Sequence, residues 1–350
     1  MKSIRNLALL VALGAMMFSC KSAPKEEKIP VGVQLYSVRG DMEKDFYGTL
    51  KAIKEIGFDG VEFAGLYGNT PGQVKAWCDE LELNPISAHV PLVDMLADID
   101  QVIKDYKAIG CEYLVVPYLP EEFRPGGDKF LETVDAIAGL AKKVKAAGMT
   151  LLYHNHDFEF ARLEDGGYGL DYIFAKTPAD ELQTELDLCW VNYAGEDPAD
   201  FLRKYTDRSP LVHFKDFYFE GTKGADPYAL IGQEGEESDA PKTIFEYRPL
   251  GCGQQDVPSL IQAFKDAHSK WIIVEQDDPS MGLSPMECIK KGFDNLTHML
   301  CCGGCCEKGE GDCCKAAEGC KAAEGCEGKD GACCKDKENC ENDCCKDKAE

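Results

Sequence analysis

The octet Tyr153-His154-Asn155-His156-Asp157-Phe158-Glu159-Phe160 gathers two imidazoles and two carboxylates within six residues. Such side chains bind divalent metals or move protons near neutral pH. They follow directly on Met149-Thr150-Leu151-Leu152, an apolar run that reads as a buried strand. Three later runs of the same kind end alike. They close on Glu185-Leu186-Asp187, on His213-Phe214-Lys215-Asp216 and on Glu275-Gln276-Asp277-Asp278. A single polar residue at a strand end is usually a structural cap. Four adjacent strands that each deliver N or O donors to one end point instead to a shared site. Imidazole plus carboxylate suits Mn²⁺, Zn²⁺, Fe²⁺ or Co²⁺ and offers too few oxygens for Ca²⁺.

The elements that must position these groups alternate, strand then helix, from residue 30 onward. Strands are expected at 31–38, 60–63, 85–89, 113–116, 149–154, 182–187, 211–214 and 271–275. Helices are expected at 44–56, 73–83, 99–109, 130–147, near Tyr172, and at 201–205, 257–267 and 285–300. The first carries an apolar stripe of Phe46, Leu50, Ile53 and Ile56. Eight strand–helix units predict an α/β fold, a closed (β/α)8 TIM barrel over residues 30–300. An open doubly wound sheet is the alternative. It would want a glycine-rich phosphate loop after the first strand, where this chain has Tyr36-Ser37-Val38-Arg39-Gly40-Asp41. Residues 217–256 are an acidic, Gly- and Pro-containing insertion, expected to form a lid.

The flanks differ in composition. Residues 1–20 read as an export signal: Lys2 and Arg5, then an apolar run over 7–18 that is too short to span a bilayer. Its end, Met17-Phe18-Ser19-Cys20, resembles the lipobox of bacterial lipoproteins. That implies lipidation at Cys20, a tether over 21–29, and residence in the periplasm or at the outer cell surface, with the membrane met only through the lipid anchor. An ordinary cleaved signal is the alternative. Residues 301–350 hold 13 of the 19 cysteines and almost no large apolar residue after Leu300. This low-complexity, Cys-rich tail cannot bury a core and is expected to be disordered. Its thiols would hold soft metal or form disulfides. The other cysteines are too scattered for a disulfide framework. A net charge of −24 argues against a nucleic-acid partner. Oligomeric state is not legible.

Seven short motifs then fall in one order: Gly32-Val33-Gln34-Leu35-Tyr36-Ser37, Gly57-Phe58-Asp59-Gly60-Val61-Glu62, His154-Asn155-His156, Glu185-Leu186-Asp187 with Trp190-Val191, His213-Phe214-Lys215-Asp216, Pro249-Leu250-Gly251 with Gly253, and Val274-Glu275. In these the chain resembles the sugar phosphate isomerase/epimerase superfamily of xylose isomerase-like TIM barrels, to which endonuclease IV is related. The resemblance implies one divalent metal on His154, Asp187, His213 and Glu275, and substrate contacts from Glu62 and His89. Trp190 and Arg248 are further candidates for holding a sugar. Epimerases of this superfamily usually carry Glu on strand five, where this chain has His154. A metal-bound imidazole has no lone pair left to act as base. Glu275 is then the first candidate base, with His156, Asp157, Glu159 or Lys215 as the second. Lys215 is expected either to be desolvated with a lowered pKa or, preferably, to pair with Asp216. The implied activity is metal-dependent isomerase or epimerase chemistry on an unphosphorylated or oxidised carbohydrate. β-Elimination from a 3-keto-glycoside is the alternative, and a non-catalytic metal-binding lipoprotein a further one. Endonuclease activity is not expected.

Overall fold

The computed structural model describes residues 28–221 and 244–302. The signal segment with Cys20, most of the tether, the middle of the insertion and the Cys-rich tail beyond residue 302 lie outside the described residues. Eight parallel strands close into a barrel: β1 (Val31–Gln34), β2 (Gly60–Phe63), β3 (Asn84–His89), β4 (Tyr113–Val116), β5 (Thr150–His154), β6 (Leu182–Asp187), β7 (Leu211–Phe214) and, after a hairpin of β8 (Asp216–Glu220) and β9 (Ile244–Arg248), β10 (Trp271–Val274). β10 lies between β7 and β1, so the circle is complete.

Strand periodicity explains why the polar groups meet. Successive side chains alternate between the barrel interior and the helix layer. Ile86, Tyr113, Val115, Leu152, Leu211 and Ile273 form a separate apolar cluster that plugs the barrel. Two residues further along the same strands stand His154, His213 and Glu275. One inward-facing set is thus apolar and the next is polar. Glycine admits the plug: a Cβ on Gly32 would lie 2.5 Å from Ile86 Cδ1, and one on Gly60 would lie 2.7 Å from the Asn84 carbonyl oxygen.

Four local expectations are corrected. Residues 35–38 leave the first strand as a 3-10 turn, because the Gln34 side-chain oxygen accepts the Tyr36 N–H at 2.9 Å. The helix expected from residue 99 begins at Leu92 and kinks at Asp98, where φ is −156°. A helix over Leu188–Ala194 was not foreseen; Asp187 caps it by accepting the Cys189 and Trp190 N–H groups. The described flanks of the insertion form a hairpin that was not foreseen: β8 and β9 pair antiparallel over five positions, Asp216 opposite Arg248. The described cysteines are free thiols.

Candidate metal and proton-transfer site

Asp187 ends β6 and divides its carboxylate between two tasks. Its Oδ1 accepts the Cys189 N–H at 2.8 Å and the Trp190 N–H at 3.3 Å, whereas Oδ2 is buried without a hydrogen bond. His154 Nε2, from the end of β5, lies 3.7 Å from that oxygen. The gap is too long for a hydrogen bond, and it leaves room for a cation touching both at the usual metal–ligand length of about 2.0–2.2 Å. Asn155 ties the two strand ends together: its Oδ1 accepts the Asp187 N–H at 3.0 Å and its Nδ2 donates to the Asp187 carbonyl at 3.3 Å. His213 Nδ1, from β7, stands 2.9 Å from Glu275 Oε2. His154, Asp187, His213 and Glu275 each offer one ligand atom, all within 4.8 Å of one another and all buried. An orphaned carboxylate oxygen facing buried imidazole and carboxylate donors fits a divalent transition metal.

Lys215 projects into the same cluster. Its Nζ lies 2.7 Å from Asp277, 3.1 Å from Glu275 and 3.5 Å from Asp187. Its Nζ also stands over the rings of Trp190 and Tyr247, 5.4 and 5.0 Å from their centroids. Burial alone would lower its pKa. The three carboxylates, Asp277 foremost, outweigh burial and hold it well above the usual lysine range. Both expectations for this residue are therefore corrected. It is an ammonium rather than a base, and it does not pair with Asp216. That carboxylate is occupied by the backbone N–H groups of Phe217, Gly251, Gly253 and Gln255, at 2.9 to 3.0 Å, and anchors the hairpin to the following loop.

The β5 loop is braced by Glu159, whose oxygens accept from the Tyr153 hydroxyl at 2.7 Å and the His156 N–H at 2.8 Å. Burial pushes its carboxyl up to about 8. With both oxygens engaged, Glu159 is a strut rather than the second base. Asp157 lines a cavity of about 620 Å³ between residues 121–127, the β5 loop and Tyr193. None of the four candidate ligands lines that cavity, but Phe158 does, and its ring stacks on His156 with centroids 5.2 Å apart. His156 also rests against Trp190 and Tyr118. Burial, then the charge of Lys215, hold its pKa well below the ordinary histidine value.

The substrate-contact candidates fall differently. Glu62 is fully buried beneath the cluster, accepting from Gln34 at 2.7 Å and Ser87 at 2.5 Å and meeting His213 Nε2 at 2.8 Å. His89 Nε2 lies 2.7 Å from Glu185 and 3.0 Å from Glu62, which raise its pKa to about 10 against the effect of burial. Trp190 is fully buried, its ring stacked on Phe245 at 5.6 Å, so it is a core aromatic and not a sugar platform. Arg248 pairs with Glu246 at 2.8 Å within β9 and stands over the Tyr218 ring. Glu185 and Asp277 were not singled out, although each sits two residues from a candidate ligand on the same strand face or its continuation, which period two makes legible. Tyr247, hydrogen-bonded to Asp277, comes from the insertion and had no such signal.

A closed barrel whose adjacent strand ends deliver imidazoles and carboxylates to one rim defines a class of (β/α)8 proteins with a polar site at the C-terminal ends of the strands. Residues 50–298 match the xylose isomerase-like TIM barrel family, and the chain belongs to it. It is 22% identical over 278 residues to inosose dehydratase of Geobacillus kaustophilus (strain HTA426), covering 72% of this chain and 87% of that protein. Among solved structures, a sugar phosphate isomerase/epimerase from Parabacteroides distasonis superposes with a TM-score of 0.61 at 20% identity, over 77% of this chain and 98% of the other. An L-ribulose 3-epimerase superposes with a TM-score of 0.57 at 16% identity, over 78% and 95%.

Proposed function

We propose that the protein is a metal-dependent enzyme that removes a proton from the carbon beside a carbonyl of an unphosphorylated or oxidised sugar and expels a β-oxygen substituent. The observation that carries this reading is the pairing of a buried carboxylate with a buried ammonium: Glu275 and Lys215 stand 3.1 Å apart at the mouth of the ligand cluster. Held on His154, Asp187, His213 and Glu275, a divalent metal would polarise the carbonyl and acidify the neighbouring C–H. Glu275 takes the proton, and the C–H electron pair forms the new double bond as the β C–O bond breaks. Lys215 protonates the departing oxygen. The proton on Glu275 then returns to Lys215 across the 3.1 Å contact, restoring both groups. Elimination needs one base and one acid. Two-base epimerisation needs a second carboxylate facing the substrate, and strand five supplies His154 instead. The dehydratase among the relatives supports the same choice.

Isomerase or epimerase chemistry is the second reading, favoured by the epimerase and isomerase/epimerase likenesses. An unphosphorylated substrate is favoured by three of the four arginine and lysine side chains described around the site; the fourth, Arg124, donates to the Leu119 carbonyl and the Tyr118 hydroxyl. Lys215, Arg39 and Arg248 are each paired with carboxylates, Arg39 with Asp278 at 2.9 Å. Lipidation at Cys20 and export, part of the same proposal, would also keep the enzyme from sugar phosphates. Soft metal on the Cys-rich tail stays a separate proposal. The test uses the full chain with Mn²⁺ and a 3-keto-glucoside in D₂O, followed by NMR. Release of the aglycone supports elimination. Deuterium entering the sugar without release would replace elimination by isomerisation, and no change in either would refute the enzyme.

A further inference from the structure

The two ligand imidazoles face the same buried carboxylate oxygen from opposite sides of their rings. His154 presents Nδ1 to Glu185 Oε1 at 3.0 Å, leaving Nε2 toward Asp187. His213 Nδ1 stands 2.9 Å from Glu275 Oε2, while its Nε2 is hydrogen-bonded to Glu62 Oε1 at 2.8 Å and lies 3.0 Å from the same Glu185 Oε1. His89 Nε2 comes to that oxygen at 2.7 Å, and Glu62 Oε1 backs both His89 and His213 at 3.0 and 2.8 Å. Glu185 and Glu62 are fully buried.

His89, His154, Glu185 and His213 also group closely enough to suggest a second cation position. Their contacts to Glu185 run from 2.7 to 3.0 Å, which are hydrogen-bond lengths. Two ligands on one tetrahedral metal with bonds of about 2.0–2.1 Å lie roughly 3.3 Å apart. The upper layer, His154 with Asp187, His213 and Glu275, has one such short contact, His213 to Glu275 at 2.9 Å, but it also holds an open pair, His154 Nε2 and Asp187 Oδ2 3.7 Å apart, which makes it the better ligand set.

We infer that Glu185 and Glu62 are the positioning residues of this site: Glu185 holds His154 protonated on Nδ1 and Glu62 holds His213 protonated on Nε2, so that the remaining nitrogen of each faces the metal. The inference rests on the metal reading proposed above. An imidazole carries its proton on the nitrogen that has an acceptor, and outer carboxylates of this kind raise ligand basicity and hold ring orientation. Each carboxylate is hydrogen-bonded to one of the two ligands, so the loss of either should loosen the metal.

Two measurements test it. Full-length protein labelled with ¹⁵N-histidine and loaded with Zn²⁺ should show His154 protonated on Nδ1 and His213 on Nε2; any other pair of tautomers overturns the inference without any variant. Glu185→Gln and Glu62→Gln should each keep the wild-type circular dichroism and lower Mn²⁺ affinity about 10–100-fold by calorimetric titration. A folded Glu185→Gln protein that binds Mn²⁺ as tightly as wild type also overturns it. Wild-type protein that takes up neither Mn²⁺ nor Zn²⁺ would instead remove the metal reading itself, which keeps the two failures apart.

Discussion

Replacing Lys215 by Met removes the one ammonium from among Asp277, Glu275 and Asp187, and from over the Trp190 and Tyr247 rings, while keeping an unbranched apolar stem of similar length. Asp187 and Glu275 are buried, and Asp277 is 21% exposed at its side chain. Removing one partner of a buried ionic group typically costs about 3–5 kcal/mol, because the remaining charges are left uncompensated. At about 2–4 °C per kcal/mol for a domain of this size, the melting point in EDTA should fall by roughly 6–20 °C. Metal should then restore more in the variant than in the wild type, since its carboxylates no longer have a resident cation. A ligand at 100 times its Kd stabilises by about 2.7 kcal/mol. The assay is thermal unfolding of both proteins in EDTA and across a Mn²⁺ series. A variant that melts within a degree of wild type in EDTA, or one that Mn²⁺ stabilises no more than wild type, would refute the view of Lys215 as the counter-cation of the ligand cluster.

Two further outcomes follow from the same structure. Burial raises the Glu159 carboxyl to about 8 from 4.5, so folding favours its neutral form. That contribution is full below about pH 4.5 and is lost as pH rises toward 8, by a few kcal/mol at about 1.4 kcal/mol per unit. The stability difference between Glu159→Gln and wild type, from denaturant unfolding at pH 5 and pH 8.5, should shift toward the variant at the higher pH; a difference independent of pH would contradict the assignment. Gly253→Ala would set a Cβ 2.2 Å from Asp216 Oδ1 and 2.4 Å from the Phe217 carbonyl oxygen. It should cost about 1–3 kcal/mol and speed hydrogen exchange in β8 and β9, and unchanged exchange there would argue against Asp216 as the hairpin's anchor.

The barrel was readable because its signal is local and repeated. Apolar runs followed by amphipathic stretches, Phe46-Leu50-Ile53 among them, recur with the spacing of strand and helix. Strand ends were readable for the same reason, since each polar cluster follows its own run. The 3-10 turn at 35–38 was not, because Leu35 and Val38 are as apolar as a strand requires; the competing Gln34 side-chain bond decides it. Nor was the helix over Leu188–Ala194 legible: too short for a periodic signal, it depends on Asp187 serving as its cap as well as a candidate ligand.

By itself the sequence determined the (β/α)8 fold and the residue types on its rim, since periodicity and donor chemistry are properties of short segments. Only the tertiary structure decided what those residues are to one another. Closure of the sheet sets β7 beside β10, so that Lys215 meets Asp277 rather than its chain neighbour Asp216, whose carboxylate is turned into a nest of backbone N–H groups. The same closure buries Trp190 against Phe245 from the insertion, removing it from the list of sugar contacts. It also brings Glu185, from the middle of its strand, under two histidines from the strands on either side. Such pairings join positions tens of residues apart through the curvature of a closed sheet, and no local spacing encodes them.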